Sequence, residues 1–273
     1  MSTPVLSCIP AYMREWPRFS AQFRALPEEA WDRPTYCEGW SAADVVGHLT
    51  LGAWFYTEVV SAGVEGRVEP PFGAKSAEEF NEKRISIMKE IGALPPPARL
   101  DRFEAENAKL EKIFLALEPA DLEKNGWHRF GPCPIRFYLI ARLYELILHE
   151  WDVRNEPEAD VLPHELEAAA EALPWRSAFF HNLRKGGDIG APVRIRVTEP
   201  DMAFGIACRD GKAEAVPAEG GDFAAEVSIG AGEFILLSSG RADPAAKEAA
   251  GRLRIEGDRA PADKLLEVLS RPF

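Results

Sequence analysis

Three side chains with metal-ligating chemistry stand out in the first half of the 273-residue chain: His48, Glu145 and His149. Glu145 and His149 are four residues apart, which on a helix stacks one above the other and suits two ligands of a single ion. His48 would have to come from a second helix. Two imidazoles and one carboxylate leave coordination positions to water or substrate, as in catalytic zinc sites, whereas structural zinc normally takes four protein ligands. The same set also suits ferrous iron, so it does not identify the metal. A histidine such as His48, taken alone, is more often a hydrogen-bonded residue of core or surface, and the reading depends on its partners.

The elements that must position these groups can be phased. Trp40-Ser41-Ala42-Ala43-Asp44 is the best-marked helix start in the chain, with Ser41 able to cap and Asp44 placed to favour the positive end of the dipole. At about 100° per residue, Asp44, His48, Leu51 and Phe55 then share one face. The stretch IRFYLIARLYELILHEWDVR, residues 135 to 154, is the most apolar helical segment. Its polar residues fall into two groups: Arg136, Glu150 and Arg154 lie within about 40° of one another, and Arg142, Glu145, His149 and Asp152 form a stripe roughly 150° away. If the first group faces water, the second points into the bundle, where an unpaired carboxylate costs several kcal/mol and a cation would offset that cost. A salt-bridged solvent stripe built from the same four residues is the alternative, and periodicity leaves both open.

The pattern around these segments predicts five helices, at about 8 to 25, 41 to 61, 76 to 93, 99 to 117 and 135 to 153, separated by Pro- and Gly-bearing loops. Short alternating strands follow, VRIRVT, AFGIAC, KAEAVPA and AEVSIG, then a helix near Gly232 to Ser239, a strand at Arg252 to Glu256 and a closing helix from Pro261 to Ser270. All seven Trp and all five Tyr fall at or before Trp175, a change of alphabet that argues for two domains. The expected fold class is therefore mixed, a helical bundle followed by a small α+β domain. The boundary is placed between Asn155 and Pro192, with the bundle taken as 1 to 160 and the remainder, which starts with a helix from His164 to about Asn182, as 161 to 273.

With 44 acidic against 32 basic residues the formal charge is -12, which repels phosphate backbones and anionic lipid surfaces. Neither nucleic acid nor membrane is expected as a partner. The opening MSTPVLSCIP lacks a charged segment followed by an apolar core, and no apolar run approaches the roughly 20 residues that span a bilayer, so a cytoplasmic location is expected. Cys8, Cys37, Cys133 and Cys208 are scattered and read as reduced thiols, with Cys37 taken as a small buried residue in preference to a ligand.

Pro34-Thr35, Gly39-Trp40-Ser41, Asp44 and His48, together with Glu145, His149-Glu150 and Asp152-Val153-Arg154, resemble the mycothiol-dependent maleylpyruvate isomerase family of the DinB-like metal-binding four-helix bundles. The resemblance covers roughly residues 8 to 160. EVSIGAGEFILLSSGRADP followed by RLRIEGD resembles the sterol carrier protein-like α+β domain that often follows that bundle. The resemblance implies His48, Glu145 and His149 as ligands of one divalent metal, with zinc the expected ion, and a low-molecular-weight thiol such as mycothiol as co-reactant. It implies a thiolate that adds to a conjugated double bond, rotation about the resulting single bond, and elimination; a related S-transferase would stop after addition or displacement. Asp152 and Arg241 would then serve in catalysis, Asp152 by holding a ligand imidazole or accepting a proton, and Arg142 or Arg241 by binding a carboxylate of an acidic substrate, which makes Arg142 the expected cofactor-binding residue. Monomer and homodimer are both compatible. The competing reading is a non-catalytic metal-containing protein that binds an apolar ligand. The segment VEGRVEPPFGAKS and the helix at 164 to 182 are longer than a minimal member needs and would reshape the pocket.

Overall fold

The computed structural model describes residues 4–162 and 164–272 and divides into two compact units, Met1–Ala159 and Asp160–Phe273. Met1 to Thr3, at the head of MSTPVLSCIP, and Pro163, at the end of the inter-domain stretch, lie outside the described residues.

The first unit carries α1 (Cys8–Arg24), α2 (Ala42–Val64), α3 (Ala77–Gly92), α4 (Pro96–Leu115) and α5 (Ile135–Arg154), close to the five helices the pattern predicts. Helices α1, α2, α4 and α5 form the bundle, each of α1 and α2 packing on both α4 and α5, while α3 lies against α2. α4 begins three residues earlier than periodicity suggests because proline is tolerated in a first turn, where its missing N–H has no partner to lose. Tyr12, Phe19, Leu49, Leu100, Phe103, Leu110, Phe114 and Trp151 are fully buried between the helices, and burial of such side chains is worth about 2 kcal/mol each. Two-residue strands β1 (Asn125–Gly126) and β2 (Cys133–Pro134) pair antiparallel and deliver the chain into α5.

α5 is buried on both sides, and this departs from the expected division of its polar residues. Arg142, His149 and Asp152 do face the interior, but Glu150 is also only 5% exposed. It is satisfied by Arg154 at 3.1 Å, so a central helix accommodates a second polar group by pairing it instead of hydrating it. Burial pushes the Glu150 carboxyl above its ordinary range, with Arg154 opposing that shift.

The second unit opens with α6 (Leu166–Glu171) and α7 (Leu173–Leu183), one helix in the sequence pattern but two in the fold, with Pro174 in the first turn of the second. The strands β3 (Val193–Thr198), β4 (Met202–Arg209), β5 (Lys212–Pro217), β6 (Ala225–Gly230) and β7 (Leu253–Gly257) form one sheet in the order β5-β4-β3-β6-β7. β3 and β6 are parallel and every other pair is antiparallel. α8 (Ala231–Leu237) and α10 (Arg259–Leu269) complete this α+β unit, together with α9 (Pro244–Ala249), a single short helix with no periodic signal of its own.

The start of α2 sets the phase of the functional helix. Ser41 accepts a hydrogen bond from the Asp44 N–H at 3.2 Å while the Asp44 carboxylate accepts from the Ser41 N–H at 2.9 Å, a reciprocal cap. Ser41→Ala is therefore expected to cost about 1 kcal/mol, read as a lower urea midpoint for loss of helical circular dichroism. An unchanged midpoint would show that packing alone fixes where α2 begins.

Candidate active site

The loop before α2 is tied to the end of α5. Thr35 N–H and Oγ1 both donate to the carbonyl of Trp40, at 2.9 and 3.0 Å, closing the loop on itself. Tyr36 N–H then donates to the carbonyl of Asp152 at 2.9 Å, and Asn155, in the left-handed conformation just past α5, donates to the carbonyl of Pro34 at 3.4 Å. The Pro-Thr and Gly-Trp-Ser positions and the C-terminal turn of α5 are thus one structural unit.

That unit brings the two histidines together. The rings of His48 and His149 lie 5.0 Å apart, nearly perpendicular, and Trp40 covers both at 5.1 and 6.2 Å. Asp152, fully buried, approaches His149 Nδ1 with its Oδ2 at 2.8 Å and accepts from Cys37 Sγ at 3.3 Å. With Nδ1 directed at a carboxylate, Nε2 is the nitrogen left for a ligand.

Glu145 sits one turn before His149 with its carboxylate held from two sides. Tyr56 Oη donates to Oε1 at 2.9 Å and Arg142 Nη1 to Oε2 at 3.1 Å. Arg142 is fully buried, and its Nη2 donates to the Leu49 carbonyl at 3.0 Å and to Asn107 Oδ1 at 2.7 Å. Asn107 also accepts from Tyr12 Oη at 2.9 Å and donates to the Phe103 carbonyl at 2.7 Å. Gly52 leaves the room this pair needs: a Cβ there would lie 3.2 Å from Arg142 Nη1 and 3.4 Å from Glu145 Oε2. The guanidinium of Arg142 is committed to the bundle interior, where it holds Glu145, and Arg142 is not among the residues that line the adjoining pocket.

Among the described residues, the group of three His, Cys or acidic side chains whose ligand atoms all lie within 4.8 Å is Cys37, His149 and Asp152. His48 and Glu145 instead line a cavity of about 240 Å³, walled by Phe55, Phe72, Phe80 and Trp127. Arg241 belongs to the second unit, where Gly240, at φ 74°, turns the chain after α8 and the Arg241 N–H donates to the Leu236 carbonyl at 2.9 Å. Tyr12, Asn107 and Tyr56 are the members of the network that sequence reasoning missed. Each is a single polar side chain among the apolar residues of its helix, and only the Arg142 at their centre carried a signal.

A family model for the mycothiol maleylpyruvate isomerase N-terminal domain matches residues 12–154, more than half of the chain. This chain belongs to that family. A second model, for the SCP-2 sterol transfer family, matches residues 185–270, in agreement with the α+β unit. Among solved structures, a point mutant of the mycothiol-dependent maleylpyruvate isomerase aligns with a TM-score of 0.61 at 15% identity over 94% of this chain and 97% of that one. The isomerase itself aligns with a TM-score of 0.59 at 16% identity over 89% and 93%. At that identity the likeness is one of fold, and it extends over both units. No curated protein matches. Among the described residues no helix is long and apolar enough to cross a membrane.

His128 joins this pocket with an imidazole held down at about 4 from an ordinary 6.5, by burial first and by the neighbouring Arg129 guanidinium second. Between those values the unfolded chain takes up a proton that the folded chain refuses, so stability is full above about 6.5 and falls as pH drops toward about 4. His128→Gln is expected to flatten that part of the acid-sensitivity curve, measured as urea midpoint against pH. Parallel curves for the two proteins would show that His128 does not contribute.

Proposed function

We propose that the chain is a metal-dependent, thiol-using enzyme of the maleylpyruvate isomerase type, or a closely related S-transferase, in which His48, Glu145 and His149 hold one divalent ion, with zinc the expected metal. The observation that carries this reading is the pairing of the His48 and His149 rings 5.0 Å apart, with Glu145, one helical turn before His149 and oriented by Arg142 and Tyr56, lining the same cavity as His48. The donor set fits a metal: two imidazoles, one with its second nitrogen fixed by Asp152, and one carboxylate with acceptor capacity beyond its two hydrogen bonds. A divalent ion there would lower the pKa of a low-molecular-weight thiol, such as mycothiol, so that thiolate forms at neutral pH.

The remaining work falls to the protein. Asp152 keeps the His149 ring in one tautomer and orientation, a positioning role that its complete burial supports. Arg142, anchored by Asn107 and Leu49, keeps Glu145 from turning away from the histidines. The rings of Phe55, Phe72, Phe80 and Trp127 exclude water from the space beside His48 and Glu145, where a small electrophile would meet the thiol. Arg241 is proposed as a carboxylate-binding residue, since a guanidinium matches that group in a two-pronged geometry.

A different ligand set, Cys37, His149 and Asp152, has in its favour that its ligand atoms already cluster. It would require His149 to turn Nδ1 from carboxylate to metal. The two sets separate in a metal-content measurement on protein purified without added metal. His149→Ala should lose the ion in either case with helical circular dichroism retained. His48→Ala should lose it and Cys37→Ser keep it if the proposed triad is right. Retention in His48→Ala with loss in Cys37→Ser would transfer the ion to the other set. Near-stoichiometric metal together with no turnover of any thiol and electrophile pair, followed by mass spectrometry, would favour a binding protein over an enzyme.

Arg142→Leu should lower stability more than a surface change does. It strips partners from Asn107, Leu49 and Glu145 at once, and orphaned buried groups cost about 1–3 kcal/mol each. A urea midpoint equal to wild type would remove Arg142 from the positioning network.

A further inference from the structure

The last turn of α7, in the second unit, buries an imidazole without a hydrogen bond. His181 has no solvent exposure, and neither Nδ1 nor Nε2 has a partner among the described residues. Ser177, one turn earlier on the same face, is likewise buried with an unpartnered Oγ. Buried polar atoms are nearly always paired, so unpaired ones mark a cost that an alternative arrangement would relieve. The cover over His181 is a strip of residues 185 to 190, with neither helix nor strand. Gly186 lies directly on the ring: its N–H donates to the His181 carbonyl at 3.0 Å, and a Cβ on Gly186 would overlap Nε2, Cε1 and Cδ2. On either side of it Lys185 and Gly187 have positive φ, 54° and 73°, the former a conformation that side-chain-bearing residues rarely adopt. The strip is tied down at two places. Arg184 Nη1, just before it, donates to the Val268 and Leu269 carbonyls at the end of α10, at 3.2 and 2.6 Å, and Cys208 Sγ on β4 donates to the Gly187 carbonyl at 3.4 Å. Lys185, Gly187 and Asp188 are exposed, so lifting them gives up little buried surface.

The closed strip opposes a proton on this ring. Burial first, and the Arg271 guanidinium second, hold the His181 imidazole below its ordinary 6.5. The elements packed against α7 carry Glu167 and Glu171 on α6, Cys208 and Arg209 on β4, Lys212 and Glu214 on β5, and Arg259, Asp263, Lys264 and Glu267 on α10. None of these acts on the imidazole, nor do Lys185 and Asp188 in the strip or Arg184 on its own helix, so no carboxylate offsets Arg271. With the strip lifted, the ring reaches water and stands in the C-terminal turn of α7, where the helix dipole favours a cation. We propose that His181 is a proton-operated latch: neutral, it keeps residues 185 to 190 closed over it, and protonated, it releases them and frees the Cys208 thiol from its carbonyl partner while the sheet and helices stay folded. The closed form disfavours the proton, so closure is fully stabilised above about 6.5 and weakens as pH falls below that value. The histidine pair of the first unit plays no part in it.

Hydrogen exchange of the full-length protein, read by peptide mass spectrometry and corrected for the intrinsic pH dependence of exchange, tests the latch. One proton gained on opening changes the opening constant by up to about tenfold per pH unit, so exchange in peptides covering residues 185 to 190 should rise about tenfold or more from about pH 7 to about pH 5. Peptides from β3, β6 and α10 should stay level over the same range. His181→Leu should abolish the rise, because leucine fills the site and takes no proton. Gly186→Ala should open the strip already at neutral pH, since its methyl group cannot lie on the ring, and should leave little further rise. The latch is overturned if wild-type exchange in the strip is level with pH, if His181→Leu keeps the rise, or if Gly186→Ala exchanges like wild type at neutral pH. A rise shared by every peptide of the second unit also overturns it, since that is acid unfolding of the unit and not release of one strip. Where His181→Leu does not fold, the wild-type profile and Gly186→Ala decide between these outcomes. None of the readouts involves thiol, electrophile or metal, so the latch and the enzyme reading stand or fall separately.

Discussion

The buried carboxylate of Asp152 is the constraint on which the arrangement depends. A carboxylate with no solvent exposure is tolerated only when its oxygens are occupied, because the uncompensated charge costs several kcal/mol. One oxygen faces His149 and Cys37, and the backbone carbonyl of the same residue receives the Tyr36 N–H. Satisfying Asp152 therefore draws the loop of residues 34 to 41 onto the last turn of α5. That loop ends in the Ser41 cap, the cap fixes the phase of α2, and the phase sends His48 toward His149. Cys37, the thiol set aside as a small buried residue, is a donor in this arrangement and helps hold the acid that holds the histidine.

Glu145 is governed by a second chain of contacts that reaches across the bundle. Tyr12 on α1 and Asn107 on α4 fix Arg142 on α5, which fixes Glu145 one turn from His149, and Tyr56 on α2 closes the far side. All four bundle helices thus contribute to the direction of one carboxylate. Such a shell holds the Glu145 carboxylate in one direction, at the cost of its rotamer freedom. The absence of a side chain at Gly52 is part of the design, since it lets the guanidinium and carboxylate meet against the α2 backbone.

What was legible in the sequence follows from which interactions are local. The cap at Ser41, the i to i+4 relation of Glu145 and His149, and the alternation of the strands depend on neighbours in the chain, and each appears where the pattern places it. The polar groups of α5 could be divided into two faces from the sequence, but not their fates. Glu150 is buried because α1 packs against that face, and Arg142 is consumed internally because Asn107 and Tyr12 wait on other helices. Nothing in a one-dimensional pattern records such partners. The aromatic wall was equally hidden, being assembled from α2, α3, the loop bearing Phe72 and the connection bearing Trp127. The break between α6 and α7 at Pro174 was the reverse case, a local signal outweighed by an otherwise continuous helical pattern.

Charge acts at two ranges in this molecule. Exposed charges beyond a Debye length, about 8 Å at physiological ionic strength, are largely screened, so the formal charge of -12 governs what approaches the surface and has little say over a small anion already in the pocket. There the nearest groups decide. His128 stays uncharged at neutral pH through burial and the proximity of Arg129, and contributes a ring instead of a third cation. Positive charge in the cavity is thereby carried by Arg84 and Arg129, the exposed residues of its lining. An anion that enters is favoured beside those guanidiniums and penalised wherever it gives up hydration against the apolar rings without a partner.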